Sequence, residues 1–180
     1  MTYDEKIHFL SVTLRSFEVT DFSLDMLQEI SLQDLLDISL EKNKTVSFRA
    51  AWVFETIVLK DTRLLQGLLP SFFSNIREQK NWSCLRSYSK LLMYLTSKQN
   101  RLYPLDEHIE VEIIEHAFQW VIDEQCPVAV VVNCLDILNQ LSQKHTWIKE
   151  ELLAQINYFQ RVKPSPALLS RTKRILKSYR

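Results

Sequence analysis

The sequence predicts an all-α fold: an α-α solenoid of about four consecutive helix pairs with an N-terminal helical cap. Three observations carry that expectation. Glycine is nearly absent, helical periodicity runs through nearly every window, and a loose repeat returns near every 40 residues. The 180 residues hold one glycine, Gly67, and five prolines, whereas sheets joined by tight hairpins need glycine at positive-φ turn positions. Arg49 and Arg86 stand 37 residues apart in the second helices of the first two pairs, and Val131 and Arg171 are their nearest later equivalents. A repeat of that length is what stacked helix pairs give. The chain fits a single domain, 1–180, with 1–30 as the cap and four pairs over 31–179, drawn at 31–59, 62–97, 106–144 and 146–179.

Thr2 and Glu5 form a capping-box pattern that opens a first helix through "YDEKIHFLSVTL". In "RSFEVTDFSLDMLQEI", either Asp21 or Ser23 is placed to cap a short helix. Ser31 precedes "LQDLLDISLEK", whose apolar set is Leu32, Leu35, Leu36, Ile38 and Leu40. "TVSFRAAWVFETIVLKD" follows. In "TRLLQGLLPSFFSNI" Pro70 kinks or restarts the helix, because proline cannot donate the ladder hydrogen bond. Asn81 caps "WSCLRSYSKLLMYLT", and after the loop "SKQNRLYPLD" a helix runs through "EHIEVEIIEHAFQWVID". The valine run of "PVAVVVNCLDILNQLSQK" reads as helix rather than strand. Its apolar residues continue to Leu141, too far for an average strand, and Pro127 suits a first turn. Thr146 is expected to cap "WIKEELLAQINYFQ", and "KPSP" separates that helix from "ALLSRTKRILKSY".

Two helices are apolar almost all round. On a wheel of residues 46–60, Val46, Ala50, Val53, Phe54, Ile57 and Val58 form one wide arc, and Phe48, Trp52 and Leu59 a second patch. Arg49, Thr56 and Lys60 are a narrow polar strip, and Arg49 is expected to lay its stem on Phe48 and Trp52 with its head in water. Helix 127–144 has a similar strip of Asn133, Asp136 and Gln140, completed by Ala129. A helix with two apolar faces touches neighbours on both, as an inner helix of a layered stack does.

"TVSFRAAWVFETI", "WSCLRSYSKLLMYL" and "SPALLSRTKRIL" resemble the V-R-x-A-A start of the second helix in the HEAT-repeat family of α-solenoids. "FRAAWVFE" with "DEQCPVAVVVNCLDILNQLSQKHTWIKEEL" is similar, more narrowly, to a group of small bacterial HEAT-like proteins. The resemblance spans 31–179. It implies that Arg49 and Arg86 are ladder residues hydrogen-bonding an Asp of the preceding inter-helix turn. This sequence departs from the pattern there, with Asn43 and Lys80 six residues earlier and Val131 in the third pair.

Composition removes several chemistries. Neither G-x-x-x-x-G-K, G-x-G-x-x-G nor G-x-S-x-G can be written with one glycine. No stretch resembles the S-S-x-M-P-x-K-x-N signature of the helical adenylosuccinate lyases. Cys84, Cys126 and Cys134 are odd in number without C-x-x-C spacing, which reads as reduced thiols of a cytoplasmic protein. The start of the chain lacks a secretory pattern, and no apolar run reaches the length of a membrane span. His108, Glu112, Glu115 and His116 share a helix, yet zinc needs further ligands, so a solvated face is the reading and neither metal nor cofactor is expected. His8 and His145 come with no triad. Asp106–Glu107 suits a helix start and Asp123–Glu124 a turn.

Net charge is zero but polarised: seven basic residues and no acid lie in 152–180, leaving 15 bases against all 22 acids before it. "SRTKRILKSYR" gathers Arg171, Arg174 and Lys177 on one helix. Cations there complement a helix C-terminus, or meet an anion: nucleic acid, a phosphorylated protein, or the chain's own acidic body. Trp52, Trp82, Trp120 and Trp147 read as packing residues, with an exposed Trp52 suited to recognition. The candidate partner-binding residues are therefore Arg49, Trp52, Arg171, Arg174 and Lys177. The expected function is a non-catalytic protein-interaction scaffold. The alternative is nucleic-acid binding, resembling the HEAT-like DNA alkylation-repair proteins, and a third is an enzyme built from scattered acids. A single basic end neutralises few phosphates, which weighs against nucleic acid.

Overall fold

The structure, a computed structural model, describes residues 1–12 and 28–179. The candidate caps Asp21 and Ser23, and the terminal Arg180, lie outside the described residues. Nine α-helices and no strand occur among the described residues: α1 (Tyr3–Val12), α2 (Leu32–Ile38), α3 (Lys44–Lys60), α4 (Leu69–Glu78), α5 (Trp82–Leu95), α6 (Glu107–Ile122), α7 (Val128–Leu141), α8 (Lys149–Arg161) and α9 (Pro166–Lys177). The chain divides into two compact units, Met1–Tyr88 and Ser89–Arg180, with the boundary inside α5.

Capping chemistry places most helix starts. The Thr2 hydroxyl accepts the Glu5 N–H at 3.3 Å while Glu5 accepts the Thr2 N–H at 2.6 Å. Ser31 and Asp34 form a second capping box at the start of α2. Asn43, Asn81, Asp106 and Ser165 cap α3, α5, α6 and α9 through their side-chain oxygens. The Pro70 expectation resolves as a restart. A short 3₁₀ turn (Thr62–Leu65) is followed by a turn through Gly67, φ 76°, and α4 begins with proline in its first turn.

Two expectations need correction. Helix α2 stops at Ile38, and Leu40 lies beyond it, 38% exposed, rather than in the apolar set. Thr146 caps nothing. It opens a 3₁₀ turn (Thr146–Ile148) that runs into α8 with no side-chain cap, so Glu150 and Glu151 in the first turn are left to meet the helix dipole.

In the first unit, α1 packs on α3, α2 on α3, and α2 on α4. Phe54, Phe72 and Tyr88 form its centre, with Phe72 and Tyr88 edge to face at 5.2 Å. The buried Tyr88 hydroxyl lies 2.6 Å from the Ser39 hydroxyl, which also reaches Asn75 Oδ1 at 3.0 Å, so a polar node is closed inside the core. In the second unit, α6 packs on α7, α8 on α9, and α7 on both α8 and α9. The valine run is helical. Val130, Val131, Val132, Leu135, Ile137 and Leu138 of α7 are all buried, on more than one face of the helix, as an inner helix requires.

Candidate functional site

The polar strip of α7 is a bonding row between neighbouring second helices. A polar group on such a helix has little water to turn to, so it finds a protein partner. In the second unit, Asn133 Nδ2 donates to Ser89 Oγ of α5 at 2.9 Å, and Gln140 Oε1 accepts from the Thr96 hydroxyl at 2.5 Å. Asp136, the third member, is 7% exposed. It faces α9, where Arg171 and Arg174 sit three residues apart on one face. Arg174 donates to both Asp136 oxygens, at 2.8 and 2.9 Å, and Arg171 Nη1 pairs with Oδ2. Burial, then the neighbouring Arg174 charge, presses the Arg171 value down. The row continues with the Tyr179 hydroxyl 2.5 Å from the Ser142 hydroxyl. Thr172, buried on the opposite side, receives the Gln160 amide at 3.0 Å and so sets the roll of α9.

These bonds frame a groove of about 780 Å³ whose lining includes Thr96, Lys98, Asn139, Gln143, Arg171 and Arg174. Three of its lining residues are cationic, Lys98, Arg171 and Arg174, against the single carboxylate of Asp136. Arg174 remains 65% exposed while paired, so one edge of its guanidinium faces the open groove.

The candidates named from sequence separate into distinct settings. Arg171 and Arg174 come together on Asp136, so the anion that the basic end meets inside the chain is its own carboxylate. Lys177 is exposed on the last turn of α9. In the first unit, Arg49 does not keep its head in water. Its Nη1 donates to the carbonyls of Leu10 at 2.8 Å and Ser11 at 2.6 Å, in the last turn of α1. A guanidinium donating to main-chain carbonyls makes charge-assisted hydrogen bonds. Trp52 is half-buried and stacks on Phe48 at 6.1 Å. The Asp partner implied for Arg49 is replaced by these carbonyls. Asn43 instead caps its own helix, while Asn81 reaches back to Ser47 Oγ at 3.0 Å and the Lys44 carbonyl at 3.2 Å. Arg86 is exposed on α5.

Glu110 stands among the acids of α6 with no motif to single it out. It accepts from Lys144 Nζ and pairs with His145 Nε2, each at 2.7 Å, tying α6 to the turn after α7. Burial opposes ionisation there, but the hydrogen bonds and charges of Lys144 and His145 hold the Glu110 carboxyl below its ordinary value. His145 is buried to 5% exposure; its signal in the sequence was a histidine directly after a lysine at a helix end, opposite an acid-rich helix. His116 lies 3.6 Å from Glu112 and stacks on Trp120. Among the described residues, no group of three or more His, Cys, Asp or Glu is placed to hold a metal, and no helix is long and apolar enough to cross a membrane. The three cysteines are free thiols; burial pushes Cys84 up to about 11 and Cys126 up to about 12, far from the values of reactive thiolates.

Consecutive helix pairs whose second helices are joined by side-chain hydrogen bonds define an α-helical repeat protein of the solenoid class. The chain belongs to the HEAT repeat family: the model of that family, a HEAT repeat domain, matches residues 10–179. No curated protein and no solved structure matches the chain at a significant level.

Proposed function

We propose that the chain is a non-catalytic interaction scaffold that receives an acidic segment of a partner protein in the groove between α5, α7 and α9. The observation that carries this reading is the excess of cationic over anionic lining around the fixed Arg171–Asp136–Arg174 cluster. Asp136 orients Arg174 without covering it, and the amides of Asn139, Gln140 and Gln143 supply donors and acceptors for an extended backbone. HEAT repeats commonly serve as such scaffolds. Arg49 and Trp52 act within the first unit as packing and capping residues.

Nucleic acid is the less favoured partner, because Asp136 consumes charge from two of the three cations that would have met phosphates. An enzymatic reading needs a carboxyl held neutral or poised. Asp34 and Glu110, both ion-paired, move instead below their ordinary values.

Fluorescence anisotropy with a labelled glutamate-rich peptide and, separately, a short DNA duplex tests the proposal at low and moderate salt. Peptide binding that weakens at least severalfold in Lys98→Glu is expected, since Lys98 is exposed and outside the Asp136 cluster. Duplex binding that fades steeply with salt and is lost on reversing Lys173 and Lys177 would replace the protein partner with nucleic acid. Absence of peptide binding at low salt would remove the groove from consideration.

A further inference from the structure

The turn-bearing end of the second unit carries an unpartnered apolar surface. Ile122 closes α6 at 65% exposure, Val128 opens α7 at 42%, and Tyr158 and Val162 at the end of α8 are 42% and 60% exposed. A chain of this composition shows single exposed apolar residues as a matter of course. Here, however, Ile122, Val128 and Tyr158 line one pocket of about 340 Å³, floored by buried Val131, Phe159 and Leu168. Clustered exposure around a concave apolar floor marks an interaction surface.

The charges bordering the pocket identify the occupant. Asp123 and Glu124, on the α6–α7 turn, form its acidic side, and Lys163, on the α8–α9 turn, its basic side with exposed Arg161 close by in sequence. Among the described residues, neither Glu124 nor Lys163 forms an ion pair within the chain. We propose that this surface joins two copies of the chain in a symmetric dimer. A two-fold axis through the apolar centre sets the acidic turn of one copy against the basic turn of the other, twice. Self-complementarity of that kind is what an isologous interface requires. Ile122 and Val162 then enter the partner copy's pocket. Opposed charge on the rim fixes the register and excludes the arrangement in which like turns meet. An anionic lipid surface would be repelled by the acidic side. The surface shares no residue with the α5–α7–α9 groove, so the dimer stands or falls independently of the partner assigned to that groove.

Sedimentation or light scattering over a wide concentration range is the test. The wild-type chain is expected to pass to twice the mass of a single copy as concentration rises. Ile122→Asp and, separately, Val162→Asp should each keep it monomeric, with circular dichroism unchanged because both side chains are exposed. Glu124→Lys alone and Lys163→Glu alone should each weaken the dimer at least tenfold, and the two together should restore it, since each reversed side again meets an opposite charge. A chain that stays monomeric throughout overturns the proposal. So does a dimer indifferent to Ile122→Asp and Val162→Asp, or a charge swap that fails to restore association.

Discussion

Arg49 shows how one residue links sequence to packing. Its position in an apolar helix demands a partner, and the partner is the pair of main-chain carbonyls of Leu10 and Ser11 in α1. Arg49→Met keeps the stem and removes both charge-assisted bonds. The loss should be about 1.5–3 kcal/mol, the range for hydrogen bonds made by charged groups, and measurable by urea denaturation. The sequence showed that Arg49 was exceptional but not what it would hold, because main-chain carbonyls leave no mark in a residue pattern. Gly67 is a second case. It has the only positive φ among the described residues, and an added Cβ would meet no atom within 4 Å. Gly67→Ala should therefore cost only backbone strain, about 1–2 kcal/mol, seen as a lower urea midpoint.

At the scale of elements, the ion pairing between α7 and α9 depends on a single carboxylate. Asp136→Asn would leave Arg171, three-quarters buried, without its counter-charge. Breaking a fully buried pair costs roughly 3–5 kcal/mol; with Arg174 mostly exposed, about 2 kcal/mol is the expected loss here. The matching local signature is faster amide exchange in α9, with α6 little changed. Lys177→Ala, on the exposed last turn, should stay within about 0.5 kcal/mol of the wild type by the same assay. The strip Asn133–Asp136–Gln140 was legible because a lone acid on a buried helix must be paired. Its partners were half legible: Arg171 and Arg174 read as cations awaiting an anion, but spacing along α9 does not say which helix lies opposite.

For the molecule as a whole, part of the acid sensitivity follows from two partly buried, ion-paired carboxylates, one in each unit. Burial opposes ionisation at Asp34, but bonds from Lys6, at 2.7 Å, and Ser31 hold it below its ordinary value. Glu110 is held down similarly by Lys144 and His145. A depressed folded value means that the stabilisation is complete above the unfolded value. It is lost as pH falls through the folded one, so the decline begins below about pH 5. Each contribution should be under about 1 kcal/mol, because both sites are partly solvated. Asp34→Asn combined with Glu110→Gln should be less stable at neutral pH and show a flatter acid limb in thermal melts.

The helices, their caps at Thr2, Ser31 and Asn81, and the helical reading of the valine run followed from neighbours within about four residues, where helix hydrogen bonds and caps operate. Family membership was legible for the same reason, since a repeat is a local pattern said several times. The cap that failed, Thr146, failed because the 3₁₀ turn beside His145 is held by Glu110, 35 residues away. The working contacts span similar distances: 38 residues between Asp136 and Arg174, 44 between Thr96 and Gln140, and 39 between Leu10 and Arg49. At those separations a bond depends on where packing sets one backbone against another. Local pattern names the group that needs a partner, and only the packed helices supply it.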